Sequence, residues 1–280
     1  MIDSTTGRRP CIARRALPCV VLASMVVVAP LRADPPEGKW TLVFQDEFNA
    51  SGDELDKNWH FQNGPSGHIL CSRWRENVVV ENGLCRILNR KENRGGQEWT
   101  SGSMWTKRQF KYGYFEARYR FAPTTGLNNS FWIMTVAPRT AKASNAGAAA
   151  GQTPPASKPV EQPGRFEIDI CEGHWPDKIN MNIHNWSGKH WAKPKVYRAE
   201  GKDLSRDFHV FGLLWTADEL VWFFEGREIR REPNTICHGE APVWFSSAVM
   251  KWAGEVTDKI DGTAMEVDYV RVYQRDVPGK

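Results

Sequence analysis

The sequence lacks the patterns by which several large classes of protein are recognised. It has no Cys-x-x-Cys pair, so a zinc site of the usual spacing is not expected. It shows no helical periodicity of useful length and no internal repeat, which argues against helical bundles and repeat arrays. The apolar run over residues 16–31 is interrupted by Pro18 and Pro30 and is short for a membrane span.

The short apolar run is typical of an export signal. Four arginines precede it, and Ala33 ends a small-residue cleavage site before Asp34. We therefore predict a signal peptide over residues 1–33 and a secreted protein, either extracellular or periplasmic. An uncleaved membrane anchor is the alternative.

The excess of positive charge is confined to this segment. The whole chain has 37 basic and 33 acidic residues, a formal net charge of +4. Residues 1–33 hold five arginines and one acidic residue, so residues 34–280 carry 32 of each and are formally neutral. A neutral chain gives no support for a nucleic-acid partner. We also expect no stable membrane partner, and a monomer.

Residues 34–276 read as one large all-β domain, followed by a tail at 277–280. Short strands are separated by turn residues such as Asn82-Gly83 and Glu225-Gly226, and residues 112–120 alternate cleanly between the two faces of a strand. The pattern predicts a two-sheet antiparallel β-sandwich.

One stretch, residues 139–164, interrupts the strand pattern. It is rich in Ala, Gly, Pro, Ser and Lys and has no aromatic residue, Leu or Ile. This composition predicts a surface loop inserted into the domain. A passive insertion and a substrate-gating lid are the two interpretations.

The motif that points to chemistry is EIDICE, residues 167–172. Apolar and acidic residues alternate in it, as in a half-buried strand. An offset of two places Glu167 and Asp169 on one face, whereas Glu172 would point away on a regular strand. Carboxylates that share a face repel one another, so this grouping is costly unless it serves a function.

One extra residue, a β-bulge at Ile170 or Cys171, would return Glu172 to the face of Glu167. The two glutamates would then be about 13 Å apart at their Cα atoms, and their carboxyl groups about 5–6 Å apart. That gap is near the ~5–5.5 Å of retaining glycosidases. One glutamate would attack an anomeric carbon and the other would protonate the leaving oxygen, but the spacing alone does not say which. A plain exposed acidic strand is the alternative.

Four cysteines lie outside the predicted leader: Cys71, Cys85, Cys171 and Cys237. Export permits a disulfide, but the pairing is not readable from the spacing. Cys171 lies inside the acidic motif, where we expect a small buried residue rather than a reactive thiol.

The order of several motifs resembles glycoside hydrolase family 16, which includes laminarinases, lichenases, agarases, porphyranases and carrageenases. The resemblance covers nearly all of residues 34–276 and depends on the order of the pieces. They are LVFQDEF (residues 42–48), TSG (100–102), YGYFEAR (112–118), FW (131–132), EIDICE (167–172), FGLLW (211–215) and MEVDYVRVY (265–273).

This resemblance implies a concanavalin-like β-jelly-roll with a concave cleft for a polysaccharide chain. By motif position it makes Glu167 the nucleophile, Asp169 its electrostatic helper and Glu172 the acid/base, with retention by double displacement. No cofactor would be required for hydrolysis.

Sugar binding needs aromatic faces and polar edges. Trp132 matches a family tryptophan beside the acidic strand, and His184 lies where related enzymes place a histidine near the acids. Trp105, Trp191 and Arg165 are further candidates for substrate binding. Weaker candidates, which could lie in the core as readily as in the cleft, are Trp99, Trp186 and Trp252.

The family often carries a structural calcium ion away from the chemistry. By position, Glu47, the carbonyl of Gly83 and Asp268 would supply the oxygen ligands that calcium prefers. An ordinary solvated strand position is the alternative for Asp268.

The sequence departs from the family where many laminarinases and lichenases have a tryptophan shortly before the first catalytic glutamate. Here residues 164–166 are GRF, and aromatic and basic residues follow His184 in residues 185–191. An arginine at position 165 would suit an anionic glycan. Both features favour a red-algal type of galactan over a simple β-1,3-glucan.

The leading hypothesis is thus a secreted retaining endo-β-glycosidase acting on a β-glucan or an algal galactan. A non-catalytic carbohydrate-binding jelly-roll and a transglycosylase that uses the same acids are the alternatives. The substrate, the disulfide pairing and the role of residues 139–164 stay open at this point.

Overall fold

The computed structural model describes Met1 and residues 35–50, 52–136 and 164–275. The predicted leader beyond Met1, the predicted tail at 277–280 and all of the predicted insertion except Gly164 lie outside the described residues.

Strands dominate the described part of the chain, with one short helix, α1 (Gly52–Asn58), and 3₁₀ turns at Arg75–Asn77, Lys251–Ala253 and Asp258–Ile260. The strands are β1 (Trp40–Asp46), β2 (Trp59–Phe61), β3 (Cys71–Arg73), β4 (Val78–Glu81), β5 (Leu84–Leu88), β6 (Arg90–Arg94), β7 (Gln97–Ser101), β8 (Ser103–Thr106), β9 (Gly113–Arg120), β10 (Leu127–Met134), β11 (Phe166–His174), β12 (Lys178–Asn185), β13 (Trp191–Ala192), β14 (Lys195–Arg198), β15 (His209–Trp215), β16 (Glu219–Phe224), β17 (Arg227–Pro233), β18 (Val243–Val249) and β19 (Ala264–Arg275).

Two eight-stranded antiparallel sheets form the sandwich. The back sheet has the order β17-β16-β15-β9-β19-β5-β4, with β1 also paired to β19. The front sheet has the order β13-β12-β11-β10-β18-β8-β2, with β14 also paired to β12. A small third sheet, β3-β7-β6, contains a parallel pair between β3 and β7. The predicted antiparallel sandwich is therefore confirmed.

The two sheets pack face to face because each strand alternates between an apolar and a polar side. On β10 the inward residues Phe131 and Ile133 are fully buried, whereas Trp132 on the other side is half-buried. Across the core, Tyr119 of the back sheet has its ring centroid 6.5 Å from that of Phe131 and 6.3 Å from that of Phe245. The outward side of the front sheet, which we call the open face, is left to carry polar and aromatic residues.

Two hairpins confirm the turns expected from the sequence. Asn82 and Gly83 have φ of 54° and 74° between β4 and β5, and Glu225 and Gly226 have φ of 51° and 74° between β16 and β17. Two successive residues with positive φ make the tight turn that suits the right-handed twist of paired strands.

The four described cysteines are buried and free. Burial raises the pKa of the Cys171 thiol far above its ordinary value. The thiol is thus protonated and unreactive, as expected from the sequence. In the described part of the chain, no helix has the length and apolar character needed to cross a membrane.

The strand that carries the acids has a tight contact with the core, which provides a test of the fold. A Cβ atom at Gly173 would lie 2.2 Å from Cζ of Phe121. We expect Gly173→Ala to lower the free energy of unfolding by about 1–3 kcal/mol, since overpacking forces a rearrangement of the core. Denaturant unfolding measures it. Gly67→Ala is the control, because no atom lies within 4 Å of its new Cβ. Equal stability of the two variants would contradict this packing.

Candidate active site

The acidic strand β11 contains a bulge at the predicted position. Against β10, Asp169 pairs with Trp132 and Cys171 pairs with Phe131, so Ile170 is the extra residue. The pairing with β12 shifts over the same interval, between Asp169 and Glu172. The prediction of a bulge at Ile170 or Cys171 is therefore confirmed.

The bulge decides which way each side chain points. Ile170 and Cys171 both belong to the buried core, and Glu172 returns to the open face with Glu167 and Asp169. Asp169 is 2% exposed, whereas both glutamates are half-buried. Three carboxyl groups thus meet on one strand at the surface of the open face.

The back sheet supports this strand from beneath. Nε1 of Trp222, on β16, donates a hydrogen bond of 2.9 Å to the backbone carbonyl of Asp169. The guanidinium of Arg230 lies 4.6 Å from the Trp222 ring and donates to the carbonyl oxygens of Met181 and Lys193. These buried contacts fix the backbone at the bulge.

Each glutamate has a side-chain partner of its own. Nε1 of Trp186 donates to Oε2 of Glu167 at 2.7 Å. Nδ2 of Asn128 donates to Oε1 of Glu172 at 2.8 Å. Both donors favour the charged form of the carboxyl group that they contact.

His184, on β12, stands opposite Glu167 in the register of the front sheet. Its Nε2 lies 3.3 Å from Oδ2 of Asp169, and its Nδ1 lies 3.0 Å from Nε2 of His190. One side-chain atom from each of three residues lies within 4.8 Å of the others: a carboxylate oxygen of Glu167, a carboxylate oxygen of Asp169 and a ring nitrogen of His184. The predicted neighbourhood of His184 and the acids is therefore present.

Burial and mutual repulsion govern the charge of the three acids. Burial, and then the charge of Asp169, raises the pKa of Glu167 to about 8. Burial also raises the pKa of Glu172 to about 7, although the Asn128 hydrogen bond opposes it. The pKa of Asp169 lies well above its ordinary value, chiefly because of burial and then the charge of Glu172. The three groups therefore share fewer than three charges near neutral pH.

A row of aromatic rings crosses the open face beside the acids. Neighbouring strands of the front sheet place four rings opposite one another: Trp132 on β10, Trp244 on β18, Trp105 on β8 and His60 on β2. The ring centroids are 4.8 Å apart for Trp132 and Trp244, 4.4 Å for Trp244 and Trp105, and 5.5 Å for Trp105 and His60. We call this the aromatic row. It begins next to Asp169, which is the strand partner of Trp132.

The other predicted contacts are less closely tied to the acids. Arg165 is exposed, and its backbone carbonyl accepts from the Trp186 amide at 2.8 Å. Trp191 is 41% exposed and pairs with Asn185, whereas Ala192 stands opposite His184. Strand alternation therefore does not favour Trp191 on the open face, and its role stays a prediction.

The three weaker tryptophan candidates differ in their exposure and in their contacts. Trp99 is 4% exposed and belongs to a core cluster. Trp252 is 52% exposed, with its ring centroid 4.4 Å from that of His174. Trp186 contacts Glu167 directly.

The residues expected to bind calcium make ion pairs in this structure. Arg271 donates to both carboxylate oxygens of Glu47, at 2.7 and 2.9 Å, and Arg118 pairs with Asp268. Gly83 forms the hairpin turn after β4. Carboxylates already neutralised by guanidinium groups do not fit a calcium ion, so the calcium site stays a sequence-based prediction without support from this arrangement.

Some residues of the site escaped sequence reasoning. Asn128 lies four residues before Trp132, so alternation could have placed it on the same face. Trp244 likewise alternates with the buried residues of β18. His190 had no such signal, because it lies in a turn whose course depends on the tertiary fold.

An antiparallel sandwich whose open face gathers three carboxyl groups beside a row of indole rings has the make-up of a glycan-cleaving jelly roll. The chain belongs to the glycosyl hydrolases of family 16, whose family model matches residues 68–271.

Individual relatives agree with this assignment. The chain is 28% identical over 261 residues to a β-glucanase of Rhodothermus marinus, covering 84% of this chain and 85% of the relative. It resembles the structure of SCLam, a non-specific endo-β-1,3(4)-glucanase, with 28% identity, a TM-score of 0.69, and coverage of 86% and 93%. The κ-carrageenase of Pseudoalteromonas carrageenovora shares the fold at a TM-score of 0.65 and 22% identity, with coverage of 86% and 97%. The chain spans about a third of the length of three other curated relatives.

The raised pKa of Glu167 predicts a pH-dependent effect on stability. A carboxyl group whose pKa is higher in the folded state destabilises the fold progressively as pH rises from about 4.5 to about 8, because the unfolded chain ionises first. We compare the free energy of unfolding of Glu167→Gln with that of wild type. We expect the difference to be about 2–4 kcal/mol more favourable to the variant at pH 8 than at pH 4.

Denaturant unfolding at both pH values measures this gain. Glu37→Gln, at an exposed position, is the control and should change by less than about 0.5 kcal/mol at either pH. A gain for Glu167→Gln that is the same at pH 4 and pH 8 would show that Glu167 ionises normally.

Proposed function

We propose that the protein is a secreted, retaining endo-β-glycosidase that hydrolyses a β-linked polysaccharide by double displacement. The observation that carries the proposal is the bulge in β11, which brings Glu167 and Glu172 to one face with Asp169 between them. Family membership and the glucanase relatives support the same reaction class. A purely sugar-binding protein would have no need to hold three repelling acids together.

Glu167 is the proposed nucleophile. Asp169 is the most buried of the three acids, and burial raises its pKa, which favours its neutral form. This removes the charge of Asp169, the second cause of the raised pKa of Glu167. The indole N–H of Trp186 then stabilises the Glu167 carboxylate.

Glu172 is the proposed acid and base. With a pKa raised to about 7 it retains a proton over much of the neutral range. It donates this proton to the leaving glycosidic oxygen while Glu167 bonds to the anomeric carbon. Glu172 then takes a proton from the water molecule that attacks the same carbon, which releases Glu167 and completes net retention.

The aromatic row gives the polysaccharide a surface to lie on. Nε1 of Trp132 donates to Oγ of Ser246 at 3.2 Å, and Nε1 of Trp244 donates to the carbonyl oxygen of Met134 at 3.2 Å. Stacking and these bonds fix both rings, so little side-chain entropy is lost when sugar rings bind beside them.

Azide distinguishes the roles of the two glutamates. We expect Glu167→Ala and Glu172→Ala each to lose at least about 10⁴-fold in kcat on an aryl oligosaccharide. In Glu167→Ala, azide replaces the nucleophile, so NMR should show a glycosyl azide of inverted configuration. In Glu172→Ala, azide attacks the glycosyl-enzyme, and the product should keep its configuration.

Glu37→Ala is the exposed control and should retain wild-type turnover. If Glu167→Ala gives the azide of retained configuration and Glu172→Ala gives the inverted azide, the two roles are reversed. Background levels of reducing ends from wild type on every glycan would overturn the proposed activity.

The substrate is proposed as a β-glucan or, as the second candidate, an anionic algal galactan. The glucanase relatives favour the first, and the exposed Arg165 beside the Glu167 strand favours the second. Reducing-end release from laminarin, lichenan, agarose, porphyran and carrageenan compares the two.

Arg165→Gln then tests the anionic candidate directly. If Arg165 binds a sulfate group, kcat/KM on the sulfated glycan should fall by about tenfold, since a charge-assisted hydrogen bond is lost, whereas kcat/KM on laminarin stays unchanged. Preferred cleavage of laminarin with no effect of Arg165→Gln on any glycan would exclude the galactan candidate.

A further inference from the structure

Three side chains beside the cleft offer metal-binding atoms to one small space. A carboxylate oxygen of Glu167, a carboxylate oxygen of Asp169 and a ring nitrogen of His184 lie within 4.8 Å of one another. Among the residues that the structure describes, this is the one trio of such side chains that lies so close. A histidine nitrogen together with two carboxylate oxygens is a donor set that divalent transition metals bind.

The buried oxygen of Asp169 points to a ligand at this place. Asp169 is 2% exposed, and its Oδ2 has no hydrogen-bond partner. A buried carboxylate oxygen without a partner is costly, and a bound cation would satisfy it. Nε2 of His184 lies 3.3 Å from this oxygen. Two ligands of a tetrahedral zinc ion, each bonded at about 2.0–2.2 Å, are separated by a similar distance of about 3.3–3.5 Å.

The third ligand, Glu167, needs only a small movement. It stands opposite His184 in the register of β11 and β12. Its oxygen has to approach the other two atoms by about 1 Å to reach tetrahedral spacing, which a rotation of the half-buried side chain provides. Nε1 of Trp186 donates to Oε2 of Glu167. A carboxylate has two oxygens, so Glu167 can keep this bond and still bind a metal ion.

His190 supports His184 in the form that a metal ion requires. Nδ1 of His184 lies 3.0 Å from Nε2 of His190. When Nε2 of His184 binds a metal ion, its proton is on Nδ1, which then donates to His190. The ring of Trp186 stacks on both histidines, with centroid distances of 4.1 Å to His190 and 5.4 Å to His184. Such an outer partner orients the ligand and strengthens metal binding.

The charge of the site also suits a cation. Three carboxyl groups share the open face, and their direct partners are the neutral donors Trp186 and Asn128 and the titratable His184. The guanidinium of Arg230 lies beneath the strand, but it pairs with Glu232 and donates to backbone carbonyl oxygens. A divalent cation would therefore relieve a repulsion that these partners leave in place.

We propose that Glu167, Asp169 and His184 bind one divalent transition-metal ion, with Zn²⁺ and Cu²⁺ preferred, and that the bound ion reversibly blocks the active site. The block rests on the proposed function, because the ion occupies the carboxylate of the proposed nucleophile, whereas the binding itself does not. Ca²⁺ takes about six to eight oxygen ligands, and Mg²⁺ requires octahedral oxygen ligands. Three ligands that include a nitrogen therefore select Zn²⁺ and Cu²⁺.

Calorimetric titration with ZnCl₂ at pH 8 tests the binding, on protein without an affinity tag, since metal ions bind the deprotonated ligands. We expect one Zn²⁺ per chain of wild type. His184→Phe and Asp169→Asn each lack a ligand and should bind Zn²⁺ at least about 100-fold more weakly. His190→Phe keeps all three ligands and loses only the outer partner, so its affinity should fall by about tenfold.

His238→Ala is the control for the titration. It removes another exposed histidine, one bonded to Tyr112, and should keep the wild-type affinity for Zn²⁺. If wild type binds no Zn²⁺, or if His184→Phe and Asp169→Asn bind it as tightly as wild type, the site is overturned.

Kinetics test the block separately. Zn²⁺ should raise the KM for the glycan and leave kcat unchanged, because ion and glycan compete for the open face, and EDTA should restore the original KM. Mg²⁺ and Ca²⁺ at the same concentration should have no effect, and equal inhibition by Ca²⁺ would overturn the assigned selectivity. If wild type cleaves no glycan, the proposed function fails and calorimetry still decides the metal site. If wild type is active and bound Zn²⁺ leaves turnover unchanged, only the block fails.

Discussion

The extra residue in β11 is the constraint on which the rest of the site depends. In a regular strand Glu172 would point into the core, where an unpaired carboxylate is costly. The bulge instead sends Ile170 and Cys171 inward together and returns Glu172 to the face of Glu167. Without it the two glutamates would lie on opposite sides of the sheet, and no shared substrate would reach both. The packing of Trp222 and Arg230 beneath the strand supports this irregular backbone.

Placing three acids together destabilises the fold and supplies the chemistry at the same time. Burial and repulsion raise the pKa of each acid, so protons are retained near neutral pH that an exposed carboxyl group would lose. The surrounding donors then distribute the charge: Trp186 stabilises the carboxylate of Glu167, and Asn128 contacts Glu172. The same electrostatic conflict that lowers stability thus keeps protons on carboxyl groups of the open face near neutral pH.

Two groups of rings lie beside the acids on the open face, and they are held in place in different ways. The aromatic row crosses four strands by the regular pairing of the front sheet, so its geometry follows from strand register. The ring stack of His184, Trp186 and His190 instead depends on an irregular turn tied to Arg165. Regular pairing therefore builds the aromatic row, and an irregular segment brings the indole of Trp186 to Glu167.

Local pattern was enough to determine a good part of this protein. Alternation of apolar and polar residues predicted the antiparallel sandwich, and Asn82-Gly83 and Glu225-Gly226 predicted two hairpins. The odd spacing within residues 167–172 predicted the bulge, because strand periodicity is two and the acids break it. The roles expected for Trp191 and Glu47 stay predictions: Trp191 pairs away from the face of His184, and Glu47, expected from the family resemblance to bind calcium, pairs with Arg271. Pattern could not bring His190 to His184 or Trp222 beneath Asp169, since these contacts join segments whose approach is set by how the sheets pack and the turns fold. Sequence periodicity determined which side of a strand each residue takes, and only the tertiary structure decided which residues meet across strands and sheets.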